Sequence, residues 1–199
     1  MPKKIAIYGG SFDPIHAGHL AVAQAVLEYV DEVWLMPCFS HMFDKQMRPA
    51  HNRLAFCRLA VDPHPGLFAS GFEIEHNCDQ GSYSSLRLIS KAYPDCEFSF
   101  AIGQDNADII HKWRNSPVLI TEFRAIVVPR KGHVIRDGWY AREPHIYLKD
   151  AGIPEISSTI LRQKLAAGDK TVQALMPSRD VYQAVLASGL YATTEFPRT

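Results

Sequence analysis

Apolar and polar positions follow two different periods along this chain. "KIAIY" (4–8) is a short, unbroken, β-rich apolar run that stops at Gly9-Gly10, the pattern of a buried strand. "GHLAVAQAVLEYV" (18–30) then places Leu20, Ala23, Val26, Leu27 and Val30 at helical spacing, and "EVWLMP" (32–37) returns to a strand pattern that Pro37 closes. Strand, helix and strand with short links predict two parallel strands joined by a crossover helix.

The alternation continues to residue 191. Helical spacing is predicted over 51–61, 82–93, 104–113, 157–168 and 178–191, with Ser82 or Ser84 as a cap for the second of these. Strands are predicted over 67–75 (interrupted by Gly71), 97–103, 124–130 and 145–150. The least regular stretches, 38–50 and 131–144, carry basic residues and fall after strands, where open α/β sheets bind ligands.

Composition narrows the function classes. A chain of 199 residues with 47% apolar residues buries a sizeable core, and one domain over 1–199 is the expectation. Lys+Arg and Asp+Glu are both 21, so charge points to neither nucleic acid nor a membrane surface. No run approaches the ~18 apolar residues of a membrane span. Cys38, Cys57, Cys78 and Cys96 form no CxxC pair. They read as reduced thiols of a cytoplasmic protein rather than as a metal site.

The densest chemistry lies in "YGGSFDPIHAGHL" (8–20). Gly9 and Gly10 let the backbone turn and approach a ligand, and His16 and His19 fall at i and i+3 in the first turn of the following helix. A helix start offers unpaired N–H groups and partial positive charge, so two added imidazole donors make a compact site for phosphate oxygens. Spacing alone leaves two other readings open: simple helix capping, and ligation of a metal for which no third strong ligand is near.

A second segment changes that balance. "GGSFDPIHAGHL" resembles the (T/H)xGH signature of the nucleotidyltransferase superfamily, as found in nicotinate/nicotinamide mononucleotide adenylyltransferases. "ISSTILR" (156–162) resembles the C-terminal ISSTxIR motif of the same proteins. Between them, "SYS" (82–84), "FAIGQD" (100–105), "KW" (112–113) and "VVPRKG" (127–132) resemble further family segments in the family order, and "SGLY" (188–191) resembles its common ending. The resemblance implies a Rossmann-like doubly wound parallel sheet with helices on both faces and a helical C-terminal part over about 151–199.

The activity it implies is transfer of AMP from ATP to nicotinate mononucleotide, with release of pyrophosphate, in NAD biosynthesis. Nicotinamide mononucleotide as acceptor stays open, as does another acceptor of the superfamily such as phosphopantetheine. From a different class, a nucleotide sensor without turnover stays open too. The implied partners are ATP, with its Mg²⁺, and a pyridine mononucleotide; the sequence leaves homo-oligomer formation open. By the same resemblance His16, His19, Arg162 and Lys45 serve the transferred phosphoryl group. Gly9, Gly10, Ser11, Phe12, Gly103, Asp105, Ile156, Ser157, Ser158 and Thr159 hold ATP. Ser82, Tyr83, Ser84, Trp113 and Arg130 hold the mononucleotide. Structural readings compete at several of these positions: helix caps at Asp105, Ser157 and Ser158, a core tryptophan, and a solvated Arg130. The 37–47 loop, "PCFSHMFDKQM", departs from the family's Pro-x-x-Pro-His-Lys pattern and puts the role of Lys45 in question.

Overall fold

The computed structural model describes residues 1–40, 46–129, 138–149 and 151–194. Six strands, β1 (Lys3–Gly10), β2 (Glu32–Pro37), β3 (Leu67–Ala69), β4 (Cys96–Gly103), β5 (Arg124–Val128) and β6 (Ile146–Tyr147), pair in parallel in the order β3-β2-β1-β4-β5-β6. Eight α-helices accompany them among the described residues: α1 (Ala17–Leu27), α2 (Ala50–Val61), α3 (Phe72–Glu75), α4 (Ser82–Ala92), α5 (Gln104–Asp108), α6 (Ser116–Glu122), α7 (Ser158–Ala166) and α8 (Arg179–Ala187).

Alternation within the strands builds two cores. Ala6, Val33, Leu35, Ala101, Ile126 and Val128 pack against apolar residues of α1, α2, α7 and α8. Their neighbours Ile5, Ile7, Phe98, Phe100, Ile102 and Val127 pack against Phe72, Leu86, Ile89, Ala107 and Leu119 on the other face. Helices therefore cover both faces, as a sheet of buried parallel strands requires, and the architecture is Rossmann-like. The strand order reverses between β1 and β4, which opens a crevice beyond their C-terminal ends.

Several predicted boundaries change. The strand expected over 67–75 ends at Ala69, because the Ser70 hydroxyl accepts the Phe72 N–H at 3.3 Å and starts α3. Helix α4 is capped by Gly81, at φ 87°, and Ser82 is its first helical residue; neither serine supplies a side-chain cap. The helix expected over 104–113 divides into α5 and a 3₁₀ turn over Ile110–Lys112. Strands β5 and β6 stop short of the predicted 130 and 150. Helix α6 carries β-branched residues that hide it, although a proline in its first turn marks its start.

No helix among the described residues is long and apolar enough to cross a membrane. All four cysteines are free thiols.

Candidate functional site

The crevice between β1 and β4 holds a cavity of about 550 Å³, within the usual range for small-molecule sites. Gly9 and Gly10 at the end of β1, and Gly103 at the end of β4, form its floor. The chain leaves β1 through Phe12, which adopts φ 45°, an uncommon conformation for an aromatic residue. Burial of its ring holds the turn: the ring lies 1% exposed, edge-on to both Tyr8 and His19.

His16 and His19 share the start of α1. His16 is the N-cap, in extended conformation. The His19 N–H donates to His16 Nδ1 at 3.3 Å, and the His16 N–H donates to His19 Nδ1 at 3.2 Å. The result is a capping box made of two imidazoles instead of the usual hydroxyl and carboxylate. The rings stack with centroids 3.6 Å apart. Each Nδ1 accepts a main-chain N–H, which leaves Nε2 as the nitrogen of each ring that can donate to a ligand. Both residues line the cavity. The capping reading and the ligand reading are thus compatible: capping consumes Nδ1 and fixes which nitrogen is the donor.

The segment leading into α7 forms the facing wall. Pro154, Glu155, Ile156 and Ser157 line the same cavity. Gly18 makes this approach possible, since a β-carbon there would meet Pro154 O at 3.2 Å and His16 Nδ1 at 3.1 Å. Ser157 is the N-cap of α7 but makes no side-chain cap bond. The N-termini of α1, α4 and α7 all border the space, and each carries partial positive charge.

Arg162 lies one turn inside α7 and is 9% exposed. Its guanidinium donates to Asp13 O at 2.8 Å and to the Thr159 hydroxyl at 3.1 Å, behind the wall instead of on it. Ser158, whose hydroxyl donates to Pro14 O at 3.4 Å, and Thr159 are likewise absent from the lining. So are Ser11, whose carbonyl accepts from Arg53, and the core residue Phe12.

At the other end, Ser82, Asp105 and Trp113 line the cavity. The half-buried Trp113 indole N–H finds no acceptor among the described residues. Tyr83 and Ser84 do not reach the lining; Tyr83 donates instead to the Glu122 carboxylate at 3.2 Å. Lys45, Arg130 and His41 lie outside the described residues.

Sequence reasoning missed Glu73, Cys38, Cys78 and Asp79, all on the lining. The polar run "HNCDQG" (76–81) between apolar segments was the available signal for part of this wall. Glu73 is 8% exposed and accepts the Phe39 N–H at 3.2 Å. Burial raises its pKa above the ordinary 4.5, against the pull of hydrogen bonds from Ser85 and Phe39 and of the Arg53 charge. The native state therefore holds this proton to higher pH than the unfolded chain does. The stability Glu73 contributes is present below about pH 4.5 and is lost as pH rises through its raised native value. Glu73→Gln keeps an acceptor for Phe39 and removes the titration. Melting curves across pH are expected to show it gaining on the parent protein above about pH 4.5, with the difference closing below that value. Parallel curves would contradict this.

Among the described residues, the cavity wall carries four carboxylates (Glu73, Asp79, Asp105 and Glu155) and no lysine or arginine. No group of three or more His, Cys, Asp or Glu side chains among the described residues is placed to hold a metal ion.

Comparison with known proteins adds independent findings. The family model described as cytidylyltransferase-like matches residues 7–164. A Bacteroides fragilis (strain YCH46) protein named "Probable nicotinate-nucleotide adenylyltransferase" is 33% identical over 187 residues, covering 92% of this chain and 91% of its own. One of the same name from Anaeromyxobacter sp. (strain K) is 34% identical, covering 95% and 97%. The solved Plasmodium falciparum nicotinic acid mononucleotide adenylyltransferase, complexed with NaAD, superposes with a TM-score of 0.80 at 23% identity, over 96% of this chain and 98% of that one.

Proposed function

The chain belongs to the cytidylyltransferase-like family and, within it, to the nicotinate-nucleotide adenylyltransferases; from that premise we propose that it moves AMP from ATP to nicotinate mononucleotide. The observation that carries this reading is the meeting of two distant motif segments, 16–19 and the start of 156–162, on one cavity at the topological switch point.

An oxygen of the mononucleotide phosphate attacks the α-phosphorus of ATP. The new P–O bond forms as the bond to the bridging oxygen breaks, and that oxygen leaves with pyrophosphate. The attacking oxygen is already anionic at neutral pH, so the protein need not supply a strong base. Positioning and charge stabilisation are what remain for it to do. The Nε2–H groups of His16 and His19 donate to the triphosphate and the transferred phosphoryl oxygens. The α7 N-terminus, at Ile156 and Ser157, adds main-chain donors, with Ser158 and Thr159 supporting that turn from behind. Gly9, Gly10 and Gly103 admit the nucleotide backbone closely, and Asp105 accepts from ribose hydroxyls. Trp113 and Ser82 hold the pyridine end. Arg162 stands one turn behind this cluster, held by Asp13 O and the Thr159 hydroxyl, and its positive charge serves the β/γ-phosphates; Lys45 and Arg130 supply further positive charge. Mg²⁺ arrives on the ATP phosphates as part of the substrate and is held mainly by them. Four free thiols are in keeping with work in the cytoplasm.

One observation favours keeping a second acceptor in view. Carboxylates without lysine or arginine on the described wall suit a pyridinium ring that bears an uncharged carboxamide as well as one that bears a carboxylate. The test is pyrophosphate release from Mg²⁺ and ATP with nicotinate mononucleotide, nicotinamide mononucleotide or phosphopantetheine offered separately. Release is expected fastest with nicotinate mononucleotide. Faster release with nicotinamide mononucleotide would move the assignment to that acceptor. Release with phosphopantetheine alone, or none with any acceptor, would overturn the reading.

A further inference from the structure

The "SGLY" segment near residue 190 is the one motif the proposed chemistry leaves without a task. Tyr191 is 2% exposed, and its hydroxyl donates to Asp13 Oδ1 at 2.7 Å across 178 residues of sequence. The other carboxylate oxygen accepts the Arg48 main-chain N–H at 3.3 Å. Arg48 lies over the Tyr191 ring, 5.1 Å from its centroid. Its side chain donates to Leu190 O and Thr193 O at 3.2 and 3.0 Å. Arg53 extends the network: its guanidinium donates to Arg48 O, Ser11 O and Cys38 O at 2.8, 2.7 and 2.7 Å. Asp13, Arg48 and Arg53 are each 1% exposed.

Asp13 is where this network meets the reaction centre. Its main-chain carbonyl accepts from Arg162, and His16 follows three residues later. Both oxygens of the buried carboxylate accept hydrogen bonds, one from the Tyr191 hydroxyl and one from the Arg48 main chain, which holds in place the residue that carries that carbonyl. Burial and the adjacent Asp13 carboxylate push the Tyr191 phenol well up from its ordinary pKa, so it remains a donor throughout the working range. Ring packing against Phe56 and Arg48 would persist without the hydroxyl.

We infer that Tyr191 is a positioning residue for adenylyl transfer: through Asp13 it sets the placement of His16, His19 and Arg162. The inference rests on the proposed reading for its kinetic arm only.

Tyr191→Phe removes one hydrogen bond to a buried carboxylate and keeps the ring. The expected result is a kcat lowered about 10-fold, the order that loss of one bond to a charged group implies, with KM for ATP changed far less. Asp13→Asn perturbs the other end, since an amide presents an N–H₂ where both neighbours donate. If Tyr191 acts through Asp13, the double variant is expected to be no slower than Asp13→Asn alone. A second readout needs no turnover: two-bond ¹H–¹⁵N spectra of the imidazoles. In Tyr191→Phe the His16 and His19 ring signals are expected to shift or broaden while those of His64, His76 and His145 stay in place. If Tyr191→Phe does not fold, Asp13→Asn supplies the same spectral test. A parent protein that releases no pyrophosphate would defeat the proposed function and leave the spectra to decide the positioning role. Unmoved His16 and His19 signals, an unchanged kcat, or losses that add in the double variant would each overturn it.

Discussion

Replacing His19 with alanine is expected to lower kcat/KM with ATP and nicotinate mononucleotide about 10²–10³-fold, the usual cost of removing one preorganised donor to transition-state charge. Circular dichroism should show the fold retained. Some stability will go as well, because His19 Nδ1 accepts the His16 N–H and half of the capping box is lost. The two effects separate in a companion variant. His19→Gln places an amide at the third helical position, where glutamine is the ordinary capping-box partner. It is expected to restore the melting temperature but not the rate, because an amide whose oxygen caps the helix cannot also direct an N–H along the line of the ring's Nε2–H donor. Near-parental turnover in the alanine variant would remove His19 from the mechanism. Turnover recovered in step with stability by glutamine would make it a cap and nothing more.

Arg162→Ala is expected to cost about 10²-fold, chiefly in kcat, if the guanidinium answers charge that develops on the phosphates. The same change strips the Asp13 carbonyl of a buried donor, so a stability loss of about 1–3 kcal/mol should accompany it. Arg162→Lys keeps the positive charge and loses the planar fork that now engages Asp13 O and the Thr159 hydroxyl together. It is expected to recover less than a tenth of the lost rate in a steady-state assay run with saturating Mg²⁺ and ATP. Full recovery with lysine would reduce the role of Arg162 to charge alone. Parental activity in the alanine variant would remove it from the reaction.

Much of the fold was legible because strand and helix periods alternate cleanly, and each period names the face that is buried. Ile5 and Ile7 face one core and Ala6 the other, as a strand requires. What the pattern hid were places where a local bond overrides propensity. The Ser70 hydroxyl turns an apparent strand into α3, and a glycine with positive φ displaces two serines from the α4 cap. Site residues were legible as segments and less so as side chains. His16, His19, Trp113 and Asp105 line the cavity, whereas Phe12, Tyr83, Ser158, Thr159 and Arg162 belong to the same segments and stand behind it. A motif keeps supporting residues and lining residues in one string, and only packing tells them apart. Arg48 and Arg53 were invisible for a related reason. Arginine ordinarily sits at the surface, and nothing in the order of residues announces that main-chain carbonyls will surround its guanidinium. Glu73 was missed because a carboxylate inside an apolar stretch reads as an exposed break in the pattern.

The bond between Tyr191 and Asp13 also bears on how the enzyme comes into being. Translation delivers Asp13 first, and at ~5–20 residues per second about 9 to 36 seconds pass before its phenolic partner, 178 positions later, is added. The opening β-α-β unit can condense early, yet the turn that carries Asp13 stays unbraced until Tyr191 arrives. A polypeptide clipped just before Tyr191 would retain the residues of all six strands and of helices α1 to α8 and lack the phenol that reaches Asp13.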